Sequence, residues 1–353
     1  MKSEDIAKLA GVSRSTVSRV INNYPNVPDA TRQKVTRVIE EMGYEPNTSA
    51  QILAGKANNT IGLFVVSIYN RDNIYQSSYY SSIINAAVDA SNSNGYYVLI
   101  HTVYSAQDYY RISQTFLQKR ISGGILVGNE KDTAQIKKLM HTGVPIGIVD
   151  YDVAELEGKR QGNENIVIIN SDDYNAARDA VHRLVALGRS KIGVMVGNVL
   201  TYSGRQRYQG YLDAMRELNL PVDDAFVLHG DFLHATAREQ TVRMLSSGRL
   251  PDAIVSGNDD MAIAVLEVLR EHNISVPDDI SVISFDDSPT AGLVKPALST
   301  YRVPLYDMVT SVTGKVIAHI EGRSSGIEHE TVPLRFIKRY SCTPHTKDIN
   351  NRI

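Results

Sequence analysis
What most constrains this chain is a series of short apolar runs of strand length that begins at Ile61 and recurs as far as Ser284. Residues 61–66 read Ile-Gly-Leu-Phe-Val-Val, the unbroken apolar stretch expected of a parallel strand buried on both faces. Similar runs at 97–100, 124–127 and 146–149 complete a first set, separated by helical stretches at about 79–92, 107–119 and 133–141. A second set has runs at 166–169, 191–196, 226–228, 253–255 and 281–284, with helical stretches at about 174–187, 205–218, 235–246 and 261–272. Strands alternating with helices in this way predict a doubly wound α/β architecture. Two such sets in 353 residues predict two lobes with a cleft between them, and ligands in such folds lie at the carboxyl ends of the strands. A hydrophobic content of 42% is enough to build both cores.

Upstream of the first strand the periodicity is helical. Ile6, Leu9 and Ala10 share one face of a short helix that Ser3 can cap, with Glu4 and Asp5 in its first turn. Gly11 stops it. Ser13 can cap a second helix over 14–22, whose inner face is Val17, Val20 and Ile21. Arg14, Ser15, Ser18, Arg19 and Asn22 are left on its outer face. A third helix runs from Asp29 to about Met42, with Val35, Val38, Ile39 and Met42 at helical spacing and Gly43 as a stop. Two short helices joined by a turn containing Gly, the second polar and basic outside, describe a helix-turn-helix. Between Met1 and Lys56 there are eight Lys and Arg against six Asp and Glu, a small positive excess in a chain of net charge −2.

The run Asp5-Ile6-Ala7-Lys8-Leu9-Ala10-Gly11-Val12-Ser13, followed by Thr16-Val17-Ser18-Arg19-Val20-Ile21-Asn22, resembles the head of the LacI/GalR family of bacterial repressors. The resemblance continues through Thr31-Arg32, Val35, Ile39, Gly43-Tyr44 and Pro46-Asn47, then more loosely over nearly the whole chain. It implies an all-α head at 1–46, a hinge helix and linker at 47–58, and an effector-binding, dimerising core at 59–353. The core would resemble periplasmic sugar-binding proteins, with a first lobe of about 60–157 plus 290–320 and a second of about 160–286 plus 322–340. The chain would cross between lobes near Asp287 and again near Gly322. In the second helix, Arg14 and Ser15 would meet base edges in the major groove, Arg14 as the reader of a guanine. Arg19 would reach a base or phosphate, and Thr16, Ser18 and Asn22 would touch phosphates and fix register. In the family the hinge is helical only on operator DNA. Asn47 would cap it, Ala50 would lie within it, and Leu53 would wedge into the minor groove. Gln51 departs from the family's usual Arg, which puts one backbone contact in doubt.

The expected cleft carries a polar set. Asp150 ends one strand, and Asn170, Asp172 and Asp173 follow another. Arg207 opens a helix after Gly197, Phe232 follows Gly230-Asp231, Asn258 and Asp259 follow Val255, and Asp286 and Asp287 follow Phe285. Carboxylates, amides, one Arg and an aromatic face suit a sugar: planar groups grip vicinal hydroxyls and the ring's apolar face stacks. By resemblance Arg207, Asn258 and Asp286 hold hydroxyls and Phe232 supplies the aromatic. Asp172, Asp173 and Asp287 read as helix caps. Where many members have Asn-Pro-Phe-Phe, this chain has Asn73-Ile74-Tyr75-Gln76. Tyr75 could stack on the ligand or simply pack. Tyr151 stands where the family often has Arg. These departures argue against taking the ligand from any relative, and a purine or nucleoside corepressor stays open beside a sugar.

No P-loop, HExxH, GxSxG elbow or strand-linked GxGxxG is present. His329, between Glu328 and Glu330, reads as a solvated loop residue. Paired acids in a sugar cleft could serve a glycosidase, but the helix-turn-helix favours binding without chemistry. No catalytic residue, metal site or cofactor is expected. The single cysteine, Cys342, excludes an internal disulfide and a Cys-based zinc site. The first residues lack a signal-peptide core, and no stretch approaches the roughly 18 apolar residues of a membrane span, so a cytoplasmic location is expected. The partners expected are a near-palindromic double-stranded operator, a small effector and a second copy of the chain. With no heptad repeat after Phe336, the resemblance implies a dimer. The other class left open is a cytoplasmic sugar sensor acting through a protein partner.

Overall fold
Every apolar run named above is a strand in the computed structural model, which describes residues 1–45, 58–66, 78–128, 133–140, 142–156 and 164–343. The chain divides into two units, Met1–Asn59 and Thr60–Ile353. In the larger unit, β1 (Thr60–Val66), β2 (Tyr97–Val103), β3 (Gly123–Val127), β4 (Ile146–Val149), β5 (Ile166–Ser171) and β11 (Ile327–Val332) form one sheet in the order β11-β5-β4-β3-β1-β2. All its pairings are parallel. A second sheet, β12-β10-β9-β8-β6-β7, is built from β6 (Ile192–Val196), β7 (Val227–His229), β8 (Ala253–Ser256), β9 (Ser281–Asp286), β10 (Ser299–Arg302) and β12 (Arg335–Ile337). Only its edge strand β12 is antiparallel.

Both sheets are covered on both faces, which is why inner strands such as β1, β3, β4 and β6 are buried apolar runs. On the first, α4 (Ser78–Ser93) and α11 (Leu305–Ile320) bury Ile83, Ala86, Val309, Val312 and Val316 on one side. On the other side, α5 (Ala106–Leu117) and α6 (Thr133–Met140) bury Tyr109, Ile112, Phe116 and Leu139. On the second sheet, α7 (Asp173–Ala186) and α8 (Tyr202–Glu217) pack opposite α9 (His234–Ser246) and α10 (Asp259–Glu271). Among the described residues no helix is long and apolar enough to cross a membrane.

Strand pairing corrects the expected lobe boundaries in three places. β5, expected to open the second lobe, pairs with β4 in the first sheet. Residues 299–302, expected in the first lobe, form β10 beside β9. Residues 327–332, expected in the second lobe, form β11 beside β5. The chain therefore passes between lobes three times, near 171–173, 302–305 and 332–335, not near Asp287 and Gly322. An apolar run reports burial but not its neighbour, so pairing was open until the sheets were seen. β11 was hidden because its sequence Ile-Glu-His-Glu-Thr-Val is that of a half-solvated edge. His329 lies on this strand, not in a loop, exposed and with Nε2 3.3 Å from Asn170 Nδ2.

The smaller unit has α1 (Ser3–Leu9), α2 (Arg14–Ile21) and α3 (Asp29–Glu41) around Ile6, Ala10, Val17, Val20, Val27 and Val35. Gly11, at φ 58°, makes the turn between the first two helices. Three details differ from expectation. Ser3 is the first helical residue and Lys2 the N-cap, because Asp5 accepts the Lys2 amide at 2.9 Å. Leu9 and Met42, expected inside, are 56% and 43% exposed. Three short helices bury narrower stripes than the apolar spacing offers. Asn47, Ala50, Gln51 and Leu53, and with them nearly all of the 47–58 hinge, lie outside the described residues, as does Tyr75.

Candidate effector cleft and DNA-reading face
Side chains from the carboxyl ends of both sheets meet. Asp150 follows β4 with φ at 66°, a left-handed conformation that Asp tolerates better than most residues. Its Oδ1 accepts from the Ser203 amide at 2.7 Å and its Oδ2 from the Ser203 hydroxyl at 2.8 Å. Ser203 lies in the first turn of α8, so a carboxylate of the first lobe satisfies a helix-terminal N–H of the second. Beside it, Arg205 Nη2 stands 3.3 Å from Asp152 Oδ2, a second link between the lobes.

Arg207 is in the second turn of α8 and buried. Its Nε donates to Asp173 Oδ1 at 2.7 Å and its Nη1 to the Gly257 carbonyl at 2.5 Å, with Asp286 Oδ1 3.6 Å from Nη1. The guanidinium carbon stands 4.6 Å from the Phe285 ring centre and 5.9 Å from that of Phe232. Asp173 opens α7 just after the first crossover and also accepts from Ser171 Oγ at 2.5 Å. Burial works against the Arg207 charge, but Asp173 and Asp286 outweigh it and hold the pKa above its ordinary value. Burial, with Asp173 next, pushes Asp150 up to about 6 against the Ser203 hydrogen bonds and Arg207. Burial raises Asp286 well above the usual carboxylate range, and Arg207 opposes it.

Asp231, Phe232, Asp286 and Asp287 share the positive φ of Asp150, at 53°, 63°, 111° and 58°. Backbone strain at strand ends is common where side chains are aimed at a ligand. Phe232 is half-buried and lies over Gly197, where an added Cβ would be 2.2 Å from its ring.

The structure thus brings Asp150, Arg207, Phe232 and Asp286 together. Asn258 is at their edge with a different first role: it caps α10, Oδ1 accepting the Met261 amide at 3.0 Å, while Nδ2 reaches the Phe232 carbonyl at 3.4 Å. Its expected use on a ligand hydroxyl is reduced to that Nδ2. Of the three acids read as caps, only Asp172 caps, accepting from the Asn175 amide at 3.4 Å. Asp173 holds Arg207, and Asp287 is bridged by Arg302 and Arg339 at 2.6 Å each. Asn170 clamps the Tyr151 backbone at both ends, at 2.9 and 2.8 Å. Sequence reasoning placed Asp173 in the cleft as a cap, not as the partner of Arg207, and missed Tyr79 and Ser203. Tyr79, on α4, interacts electrostatically with Asp150, Asp286 and Arg207, and its hydroxyl pKa is raised by burial and then by Asp150. Its only signal was the tyrosine-rich run in which it stands. Ser203 had none. Among the described residues no group of His, Cys, Asp and Glu is arranged to hold a metal ion.

In the smaller unit, Ser13 caps α2 through the Thr16 amide at 3.1 Å. Arg14, Ser15, Ser18 and Arg19 are exposed along α2, while Thr16 and Asn22 are half-buried. Asn22 Nδ2 donates to Ser18 Oγ at 3.3 Å. The outer face is basic and rich in hydroxyls, the composition that phosphates and base edges require.

Residues 4–47 match the family model of bacterial regulatory proteins, lacI family, and residues 181–342 match a periplasmic binding protein-like domain. The chain is 30% identical over 303 residues to the "Probable HTH-type transcriptional repressor ExuR" of Bacillus subtilis (strain 168), covering 86% of each protein. It is 29% identical over 344 residues to the HTH-type transcriptional regulator DegA of the same organism, covering 96% of this chain and 97% of the other. Among solved structures it is similar to a lac repressor dimer bound to operator and the anti-inducer ONPF. That match has 26% identity and a TM-score of 0.80 over 97% of this chain and 98% of that one. A transcriptional regulator CelR–cellobiose complex matches at 26% identity and a TM-score of 0.72, over 97% and 100%. The chain belongs to the lacI family of bacterial regulatory proteins: it is a DNA-binding transcriptional regulator, not an enzyme.

Proposed function
We propose that this regulator represses a sugar-utilisation operon and is controlled by a sugar bound between the two lobes of its core. The observation that carries the reading is the cluster of Asp150, Arg207 and Asp286 from both lobes, with Tyr79 and the ring of Phe232 beside it. A sugar hydroxyl needs both a donor and an acceptor. Arg207 donates, ionised carboxylates accept, and an Asp with a raised pKa can do either. Phe232 offers a face to the apolar side of a pyranose. The CelR relative was solved with cellobiose, which supports the same class of effector.

On DNA, α2 enters the major groove with Arg14 and Ser15 on base edges, Arg19 on a base or phosphate, and Thr16, Ser18 and Asn22 on phosphates. The hinge residues Asn47, Ala50 and Leu53 address the minor groove. One head reads few base pairs, so a homodimer on a near-palindromic operator is the working unit, as the lac repressor relative is a dimer on its operator. The edge strand β2 leaves Tyr97 73% and Ile100 41% exposed, apolar surface that a second copy would cover. The protein acts in the cytoplasm, where operator DNA lies. An effector shifts the equilibrium only by its different affinity for the DNA-competent and DNA-free forms.

The test is calorimetric titration of the full chain with mono- and disaccharides, sugar phosphates and nucleobases, followed by a DNA-shift assay with each ligand that binds. A sugar that binds and releases DNA supports the reading. A purine that binds and tightens DNA replaces the effector class and reverses the switch. No sequence-specific DNA binding under any condition would favour a sensor acting through a protein partner.

A further inference from the structure
We propose that Ser3 and Glu4, in the first turn of α1, position the Arg14 guanidinium and so set how sharply Arg14 discriminates its base pair. The proposal rests on α2 being the base-reading helix. Arg14 is the first residue of α2. Its Nε donates to Ser3 Oγ at 3.2 Å and its Nη1 lies 3.4 Å from Glu4 Oε1. Both partners come from the first turn of α1, ten and eleven residues back in the chain.

The pair is exposed, with Arg14 and Glu4 side chains 69% and 56% accessible. Such pairs contribute little to stability in water, so stability does not explain the arrangement. Nor does the start of α1 require Glu4: Asp5 already accepts the Lys2 amide, and its charge complements the helix dipole. The pair does restrict a long side chain with many rotamers. A guanidinium hydrogen-bonded at Nε and ion-paired beside Nη1 still has its Nη1/Nη2 end for the bidentate contact with guanine O6 and N7. Ordering it before DNA arrives removes part of the entropy loss of binding, and does so for one orientation only. Glu4 otherwise places a negative charge near phosphates, which weakens binding to every sequence alike.

These two effects of Glu4 predict opposite results. Full-length wild type, Arg14→Ala, Glu4→Ala, Glu4→Gln and Ser3→Ala are each selected against an operator library randomised across the half-site, with thermal melting as the control for folding. Arg14→Ala is expected to lose discrimination of about tenfold at one position of each half-site. Glu4→Ala is expected to lose about threefold at that same position, the size an exposed pair can supply, with unchanged melting and no loss on other sequences. Ser3→Ala is expected to act at the same position. Glu4→Gln, which removes the charge of the ion pair at nearly constant shape, is expected to lose discrimination at that position as Glu4→Ala does. If Glu4→Ala tightens binding by one factor on every sequence, Glu4 is only a surface charge and the proposal is overturned. If Arg14→Ala changes no single position, Arg14 is not a base reader, and the proposal falls together with the reading beneath it.

Discussion
The Asp150 carboxylate loses water on burial, and its two hydrogen bonds from Ser203 replace only part of that hydration. Its pKa therefore stands at about 6, above the 3.8 of an exposed aspartate. The buried form holds a proton that the unfolded chain has already released, so this contribution to stability is complete below 3.8 and is lost as pH rises through about 6. Asp286, also raised, acts in the same direction. Lowering pH from neutral towards 5 is expected to raise the core's melting temperature through these groups, and Asp150→Asn to flatten part of that dependence. Parallel pH profiles for the two proteins would show that Asp150 does not titrate there. At Arg207 the expected effect is larger. Arg207→Ala leaves Asp173, and partly Asp286, buried without their counter-charge, and removing one partner of a buried pair costs about 3–5 kcal/mol. Denaturant unfolding checks it, and a loss under about 1 kcal/mol would contradict the pairing described. Effector binding should be abolished in the same variant.

Individual elements present the site through their ends. β4, β6, β8 and β9 deliver Asp150, Gly197, Asn258 and Asp286 at or just beyond their carboxyl ends, and α8 delivers Ser203, Arg205 and Arg207 from its first two turns. Gly197 shows how close the packing is, since a methyl group there meets the Phe232 ring directly. Gly197→Ala is expected to push that ring from its place, at a cost of about 1–3 kcal/mol in core stability, and to weaken effector binding while operator binding without effector stays unchanged. Calorimetry and a DNA-shift assay on one preparation separate these effects. Unchanged effector affinity would remove Phe232 from the site. The buried strands of this layer were legible because a strand covered on both faces must be apolar throughout. β10, β11 and β12 were not: Ser-Thr-Tyr-Arg and Ile-Glu-His-Glu-Thr-Val carry the polar residues that edges and crossovers tolerate.

For the molecule as a whole, the segment after α11 completes both sheets. β11 extends the first and β12 the second, and Leu334 between them packs against the cores of both lobes. A chain ending at Glu321 lacks both edge strands and the third crossover. It is expected to lose the single cooperative melting transition of the core and to be largely insoluble. Expression followed by calorimetric melting tests this. A soluble truncated chain with one sharp transition would show that the lobes do not depend on that segment.

The sequence by itself determined the helix-turn-helix, the alternation of buried strands and helices, and which chain positions would present polar side chains at strand ends. All of these are local properties, carried by side-chain period, capping residues and glycine placement. Only the tertiary structure decided that β5 belongs with β4, that Asp173 is a partner of Arg207 and not a cap, and that Ser203 and Tyr79 join the site. Each of those outcomes is a contact between residues far apart in the chain. A buried strand has the same composition whichever neighbour it pairs with, and an aspartate at a helix start can cap or form an ion pair. The choice depends on which charges folding brings within a few ångströms, and no local pattern records that distance.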